Sequence, residues 1–250
     1  MHFFRTSIAL SLLLVAVPLY AQDLATTCHA TSSYDVTINA DSITFDRPTP
    51  APTRVKIQHG SLRTDGAAVR LNAENQDRMT LFERDLRALE PRVKTVAQNG
   101  VDMAVRAVRA ETSGMGISAE TQTELDQRLT ARASELKQRI AATHSTHDWD
   151  GDAFNQYANQ LASDLVPLIA GDFGQQAIDA AISGDLQQAA NLRDRAASLA
   201  PEIQPRLLNR MQALRPQIQA LCPAIQQLVE LQQDVRDSNG QRLDLIQTGR

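Results

Sequence analysis

The spacing of the apolar residues changes once, near residue 71, and this change constrains the fold more than any other feature. Before it, apolar and polar residues alternate in short runs at 34–38, 43–45 and 55–57, as in half-buried β-strands. After it, apolar residues recur every three or four positions, as in amphipathic helices. The sequence therefore predicts an α+β fold, mainly α with a small N-terminal antiparallel β unit.

The β unit is expected to span residues 22–71 and to contain four or five strands. Gly60 and the pair Asp65-Gly66 are typical of tight turns between such strands. The proline-rich segment 47–52 cannot lie in a central strand, so it is predicted to connect two strands. Because so small a unit cannot bury an adequate core alone, we expect it to pack against the helices.

Residues 72–237 are predicted to form the helical domain. Asn72 and Ser118 are placed to cap its first two helices, and Pro91 is expected to kink the first. Gly171-Asp172 and Gly184-Asp185 are predicted to separate shorter helices, with each aspartate capping the helix that follows.

The last part of the helical domain carries a heptad-like apolar seam. Its residues follow alternating steps of four and three, the spacing of a coiled coil: Leu207, Met211, Leu214, Ile218, Leu221, Ile225 and Leu228. Pro216 and Pro223 interrupt the seam, so breaks are expected rather than one straight rod. The prediction is a kinked helical bundle, partly coiled-coil-like, followed by a flexible C-terminal tail at 238–250.

Residues 1–21 have the pattern of a cleavable secretory signal peptide. Arg5 precedes an apolar run at 6–17, Pro18 breaks that run, and Ala21 offers a small residue before an expected mature start near Gln22. The run is shorter than the roughly 20 apolar residues that span a bilayer, which disfavours an uncleaved anchor. No later segment is apolar enough to cross a membrane. The mature protein is therefore expected to be exported without a transmembrane anchor.

Two cysteines, Cys28 and Cys222, lie near opposite ends of the expected mature chain. In an exported protein, an even number of cysteines predicts a disulfide. Closing so long a loop stabilises the fold by about 5 kcal/mol in the chain-entropy model. The alternative is a reactive or metal-binding thiol, but the sequence lacks a Cys-x-x-Cys pair.

One cluster contains the residue types that bind metals: His144, His147, Asp148, Asp150 and Asp152. The cluster could hold a divalent cation. The alternating aspartates are similar to the start of a calcium loop, but the twelfth position, counted from Asp148, is Asn159 rather than the required glutamate. The alternative is a polar loop in which Asp150 or Asp152 caps the next helix.

Composition and missing motifs exclude several classes of function. The chain has a formal net charge of −4, and its basic residues are interspersed with acids, which disfavours nucleic acid as a partner. It lacks Gly-x-Ser-x-Gly, His-Glu-x-x-His and a phosphate-binding glycine loop. We therefore assign no catalytic residue, expect no cofactor beyond a possible divalent metal, and favour a non-enzyme over an enzyme.

An ordered set of short motifs resembles the YggN-like family of uncharacterised bacterial envelope proteins. The motifs are Cys28, Asp35-Val36-Thr37-Ile38, Gly60-Ser61-Leu62, Leu71-Asn72-Ala73-Glu74-Asn75-Gln76 and Leu221-Cys222, within a match from Cys28 to about Val235. The resemblance implies a periplasmic protein of a Gram-negative bacterium. It transfers no catalytic residue.

The functional expectation is a non-enzymatic binding, scaffold or chaperone-like module of the cell envelope. Its partner would be an envelope protein or an unfolded client, held by an amphipathic helix or a groove between helices. Self-association through the seam is one alternative. The other is a metal-binding protein or metal-dependent envelope hydrolase that uses the loop at 144–152.

Overall fold

The computed structural model describes residues 26–149 and 151–249, and the side chains of all these except 149, 151–162, 199–205 and 207–208. The predicted signal peptide, residues 1–21, lies outside the described residues. The α+β fold class is confirmed, because a small antiparallel sheet is followed by long helices.

Five strands form an antiparallel sheet in which each strand pairs with the next along the chain. They are β2 Asp35–Ile38, β3 Ile43–Asp46, β4 Arg54–Gln58, β5 Ser61–Thr64 and β6 Ala67–Ala68. Both predicted tight turns are present. His59 and Gly60 have φ of 50° and 73°, and Asp65 and Gly66 have φ of 47° and 84°. Positive φ at both central residues is what a two-residue hairpin turn needs in order to match the twist of its strands.

The helices occupy most of the rest of the described chain. They are α1 Ala73–Thr112, α2 Ala119–Ala142, α3 Gly151–Ile182, α4 Leu186–Met211, α5 Arg215–Gln219 and α6 Cys222–Gln232. The predicted caps on α1 and α2 are confirmed, since Asn72 accepts a hydrogen bond from the Asn75 backbone N–H and Ser118 accepts one from that of Thr121. Pro91 lies inside α1, which continues to Thr112 and is about 60 Å long.

Two apolar cores lie along α1. The first joins the inner face of the sheet to the first half of α1, to α6 and to the C-terminal segment, and includes Phe45, Ile57, Phe82, Leu228 and Leu245. The second joins α2, α3 and α4, and includes Leu125, Leu129, Ile169, Phe173 and Leu192. The β unit therefore packs against helices, as its small size requires.

The heptad-like seam breaks where its prolines predict. A short 3₁₀ turn, Gln212–Leu214, separates α4 from α5, and Pro216 and Pro223 lie in the first turns of α5 and α6, where a missing backbone N–H is tolerated. Several seam residues are buried within this chain: Leu214, Ile218, Leu221, Ile225 and Leu228. The side chain of Leu207 lies outside the described residues.

The predicted break at Gly171-Asp172 is wrong. α3 continues through both residues to Ile182, because Ile169 and Phe173, on either side, are buried in the second core, and such packing offsets the cost of about 1 kcal/mol of a glycine in a helix. The predicted break at Gly184-Asp185 is confirmed. Asp185 caps α4 by accepting a hydrogen bond from the Gln188 N–H at 2.9 Å.

The C-terminal segment does not extend from the fold as the flexible tail that was predicted. Leu243 and Leu245 are buried in the first core, and β7 Gln247–Thr248 pairs antiparallel with β1 Ala30–Thr31. Apolar residues at alternate positions allow one face of this segment to pack inward. The pairing also brings the two ends of the described chain together.

Within residues 26–149 and 151–249, no helix combines the length and the hydropathy needed to cross a membrane.

Candidate functional site

The segment that follows α2, residues 144–147, covers the open edge of the sheet, and we call it the strap. The Ile38 backbone N–H donates to the His144 carbonyl oxygen at 2.8 Å, and the Val36 N–H donates to Thr146 Oγ1 at 2.8 Å. Thr37 and Ser145 form an antiparallel bridge. Because an uncovered strand edge is a template for unwanted pairing, the strap protects β2.

The described residues of the predicted metal cluster contact three different partners. His144 Nδ1 lies 3.2 Å from Glu90 Oε1 on α1, and His147 Nδ1 lies 3.2 Å from Asp35 Oδ2 on β2. Asp148 Oδ2 accepts a hydrogen bond from Thr143 Oγ1 at 2.6 Å. These contacts hold both ends of the strap on the fold.

The other two members of that cluster are not described: Asp150 and the side chain of Asp152 lie outside the described residues. Among the side chains that the structure does describe, no group of three or more His, Cys, Asp and Glu residues is arranged to hold a metal ion.

An open groove of about 950 Å³ lies beside the strap on the outer face of the sheet. Its charged groups contact one another or the backbone. Arg54 Nε lies 2.5 Å from Asp46 Oδ1, and the Arg47 guanidinium stacks 4.1 Å from the centre of the Tyr34 ring. The backbone N–H of Arg54 and the Thr53 side chain donate to Asp65 and lower the pKa of its carboxyl. These pairings stabilise the proline-rich connector and the end of the sheet.

Cys28 and Cys222 form a disulfide, with the sulfur atoms 2.02 Å apart and the Cα atoms 5.1 Å apart. Both distances fit the disulfide that the sequence predicts. Cys28 is buried in the first core, and Cys222 is the first residue of α6. The bond therefore ties the N-terminal segment to the helix that packs against the sheet.

The turn between α3 and α4 presents a cluster of exposed large apolar side chains, and we call residues 178–186 the hairpin tip. Ile178, Ile182 and Leu186 are 54%, 81% and 71% exposed. By contrast, Ala180 on α3 and Leu192 on α4 are buried. The larger side chains of the tip thus point to solvent rather than into the hairpin.

The tip turn has a defined geometry. Gly184 has φ of 87°, its N–H donates to the Ala181 carbonyl, and the Asp185 N–H donates to the Ala180 carbonyl at 2.8 Å. This is the pattern of a Schellman motif, which satisfies the last carbonyls of a helix. Because Asp185 also caps α4, the turn holds the exposed apolar residues in a fixed arrangement.

Asp172 anchors the base of the hairpin to the start of α2. Its carboxylate accepts hydrogen bonds from the Ser118 N–H at 3.1 Å, from the Ser118 hydroxyl and from Thr121 Oγ1 at 2.8 Å. Burial alone would raise the pKa of Asp172, but these bonds and one from Gln176 outweigh it, so the pKa lies below its ordinary value. On the other helix, Arg195 donates to the Met115 carbonyl at 2.7 Å.

A family model described as "Protein of unknown function (DUF2884)" matches residues 28–245. The chain belongs to this DUF2884 family. The matched residues include the disulfide, the sheet, the strap, the hairpin tip and the buried C-terminal segment as far as Leu245. No curated protein and no solved structure matches the chain.

The periodicity of this DUF2884 chain does not reveal the hairpin tip. Ile178, Ile182 and Leu186 look like core positions, because their spacing is helical and their side chains are large. Another feature of the sequence could have pointed to an unusual surface in this region: no Lys or Arg occurs between Arg139 and Arg193. The lack of cations sets this stretch apart from the rest of the helical domain, where basic and acidic residues are interspersed.

Proposed function

We propose that this DUF2884 protein is a non-enzymatic contact module of the bacterial periplasm that holds a polypeptide partner against the hairpin tip. The observation that carries the proposal is the cluster of Ile178, Ile182 and Leu186. Single exposed apolar residues are ordinary, but a cluster of them marks an interaction surface.

The way the fold presents the tip supports this role. The Schellman turn and the Asp185 cap order the tip, and the contacts of Asp172 hold its base against α2. A surface that is rigid before binding loses less conformational entropy when a partner arrives. Ile182 contributes little to the stability of the free protein, since most of its side chain is in water.

Three further observations support a periplasmic location. The sequence predicts a signal peptide at 1–21, its motifs resemble those of the YggN-like envelope proteins, and Cys28 and Cys222 form a disulfide. Disulfides persist in oxidising compartments such as the periplasm.

The polar groove favours a contact role over a hydrolytic one. Asp46 pairs with Arg54, and Asp65 accepts hydrogen bonds from Thr53 and Arg54. The described lining thus uses these charged groups to hold the sheet and its connector.

Photo-crosslinking in intact cells tests the proposal. A photoreactive amino acid is placed at position 182 or, as a matched control, at the exposed Gln138 of α2. We expect a reproducible adduct with a polypeptide from position 182 and a much weaker one from position 138. The proposal fails if position 182 yields no adduct, or if both positions yield the same adducts in equal amounts. An adduct between two copies of this chain would favour self-association, which light scattering would confirm.

Metal binding by the loop at 144–152 is the alternative proposal, in which the protein binds a divalent cation or is a metal-dependent hydrolase of the envelope. Its support is the closeness in sequence of His144, His147, Asp148, Asp150 and Asp152. Native mass spectrometry with elemental analysis of the exported protein would show a stoichiometric metal that is lost in His147→Ala. Metal-free protein after growth with added zinc, manganese and calcium would contradict this alternative.

A further inference from the structure

We infer that the partner held at the hairpin tip is a cationic amphipathic segment, in which Lys or Arg residues flank apolar ones. The inference rests on the proposed function, because it specifies the chemistry of what the tip binds. It follows from the charges around the apolar cluster.

The hairpin lies in a stretch that carries acidic residues and no Lys or Arg. Residues 140–192 contain neither basic type, but they include seven aspartates: Asp148, Asp150, Asp152, Asp164, Asp172, Asp179 and Asp185. Some of these have partners within the fold. Asp164 pairs with Arg132 at 2.5 Å, and Asp172 accepts hydrogen bonds from the start of α2. Asp179 and Asp185 lie at the tip itself.

The nearest basic residues in the sequence, Arg193 and Arg195, lie on α4 outside the tip turn. Arg193 is paired with its neighbour Asp194 at 4.0 Å. Arg195 donates to the Met115 carbonyl and stacks over the Phe173 ring, with its guanidinium carbon 5.5 Å from the ring centre. Within residues 178–186 the charged side chains are Asp179 and Asp185, and both are carboxylates.

Asp179 lies in a position that favours the opposite charge. It is in the last turn of α3, which contains no basic residue, and the partial negative charge at a helix C-terminus favours Lys or Arg there. Its carboxylate accepts a hydrogen bond from the neutral amide of Gln175 at 3.0 Å. A cation supplied by a partner would offset both the carboxylate and the helix end.

The same charges disfavour an anionic lipid surface. Ile178 and Ile182 would have to enter the bilayer with Asp179 between them, close to lipid phosphates. Carboxylates and phosphates repel each other within a Debye length of about 8 Å at physiological salt. A basic amphipathic helix meets both requirements, because its apolar face covers the isoleucines while its Lys or Arg side chains reach the carboxylates.

Peptide binding to the full exported protein tests the inference. The probes are two synthetic amphipathic helices, each about 16 residues or four turns long, with the same leucine positions and either Lys or Glu at every polar position. Binding is measured by fluorescence anisotropy at low and at physiological salt. We expect the Lys peptide to bind and the Glu peptide to bind at least about tenfold more weakly.

Two variants locate the binding at the tip. Ile182→Ser removes an exposed apolar contact and is expected to weaken binding of the Lys peptide about tenfold. Asp179→Lys is expected to weaken it roughly three- to tenfold, and should fold well because a cation suits the end of a helix. The control, Asp41→Lys, makes the same change of net charge on the exposed β2–β3 turn and should leave binding unchanged. Circular dichroism and denaturant unfolding check that every variant is folded.

The other outcomes overturn the inference in different ways. If both peptides bind equally well and both lose affinity in Ile182→Ser, the tip is a contact surface without charge preference, and the proposed function stands. If Asp41→Lys and Asp179→Lys weaken binding equally, the attraction is a property of the whole acidic protein. Binding to phosphatidylglycerol vesicles that requires Ile182, without binding of the Lys peptide, would identify a lipid surface instead. If neither peptide binds, the inference fails, while crosslinking at position 182 still decides the proposed function.

Discussion

At the scale of single residues, two buried or half-buried polar side chains join segments that are far apart in the sequence. Gln232, at the end of α6, accepts hydrogen bonds from the backbone N–H groups of Leu245 and Ile246 at 3.1 and 3.2 Å, and donates to the Ile246 carbonyl. The Gln232 amide thus satisfies backbone groups that a neighbouring strand would otherwise pair with, and this allows the C-terminal segment to pack into the core. Asp172 plays the same part between α3 and α2.

Replacing Asp172 with Asn is expected to destabilise the protein by about 1–2 kcal/mol at pH 7, because the acceptor loses its charge and one of its oxygens becomes an NH₂ donor that cannot accept the hydrogen bonds made there. The folded pKa of Asp172 lies below its ordinary value of 3.8, so its charge stabilises the fold above that pH. This stabilisation disappears as the pH falls below about 4 and through the lower folded pKa. Urea unfolding of both proteins at pH 7 and pH 3 should show a difference that shrinks at pH 3.

Asp179→Asn is the matched control for this prediction, because it makes the same chemical change on the same helix. Asp179 is exposed and contacts the side chain of Gln175, so its replacement should change the free energy of unfolding by less than about 0.5 kcal/mol. Equal effects of the two substitutions, or a difference that persists unchanged at pH 3, would show that Asp172 does not act through its charge.

At the scale of secondary-structure elements, short turns and the strap determine how the sheet meets the helices. The β4–β5 turn lies directly against α1. A Cβ atom on Gly60 would contact Thr80 Oγ1 and would lie 2.8 Å from the Gln76 carbonyl oxygen. The Gly60 N–H is 3.4 Å from Glu83 Oε2, a buried carboxylate on the same helix. Only glycine lets the sheet approach α1 this closely.

Replacing Gly60 with Ala should destabilise the protein by about 2–4 kcal/mol, because it combines a strained φ of 73° with a clash against α1. Gly66→Ala is the matched control. Gly66 has a similar φ of 84°, but nothing lies within 4 Å of its added Cβ, so about 1–2 kcal/mol of strain remains. Guanidinium unfolding followed by circular dichroism compares the two. Similar losses for both variants would show that the approach of the turn to α1 contributes little.

At the scale of the whole molecule, the disulfide, the β1–β7 pair and the first core hold the ends of the described chain together. Cys28 lies in that core together with residues from the sheet, α1 and α6, and β7 begins two residues after the buried Leu245. The hairpin tip belongs to the other part of the molecule, where α2, α3 and α4 form the second core. The hairpin tip is thus separate from the disulfide.

Replacing both cysteines with Ala should lower the free energy of unfolding by about 2–5 kcal/mol under oxidising conditions, because the unfolded chain regains the entropy that the long loop removes. The native protein and the variant should become almost equally stable in reducing buffer. Thiol titration of the denatured, non-reduced native protein is expected to find no free thiol. One reactive thiol for each cysteine would contradict the bond.

The sequence by itself determined the features that depend on near neighbours. Alternating residues predict the strands, helical spacing predicts the helices, and Asn72, Ser118 and Asp185 mark helix starts because capping acts within three residues. The pairing of Cys28 with Cys222 also follows from the sequence, because each has one possible partner in the chain.

Only the tertiary structure decided which segments meet and which surface stays open. Periodicity identifies an apolar face but does not say whether another element covers it, so the sequence indicated neither that the tail packs inward nor that the hairpin tip stays open. Leu243 and Leu245 are buried because their backbone N–H groups donate to the Val235 carbonyl and to the Gln232 side chain, whereas Ile182 is exposed because no described element packs over the tip. The histidines of the strap are likewise explained by contacts to β2 and α1 that lie far away in the sequence. Whether a residue is buried depends on neighbours that are distant in the sequence, and local sequence patterns do not specify those neighbours.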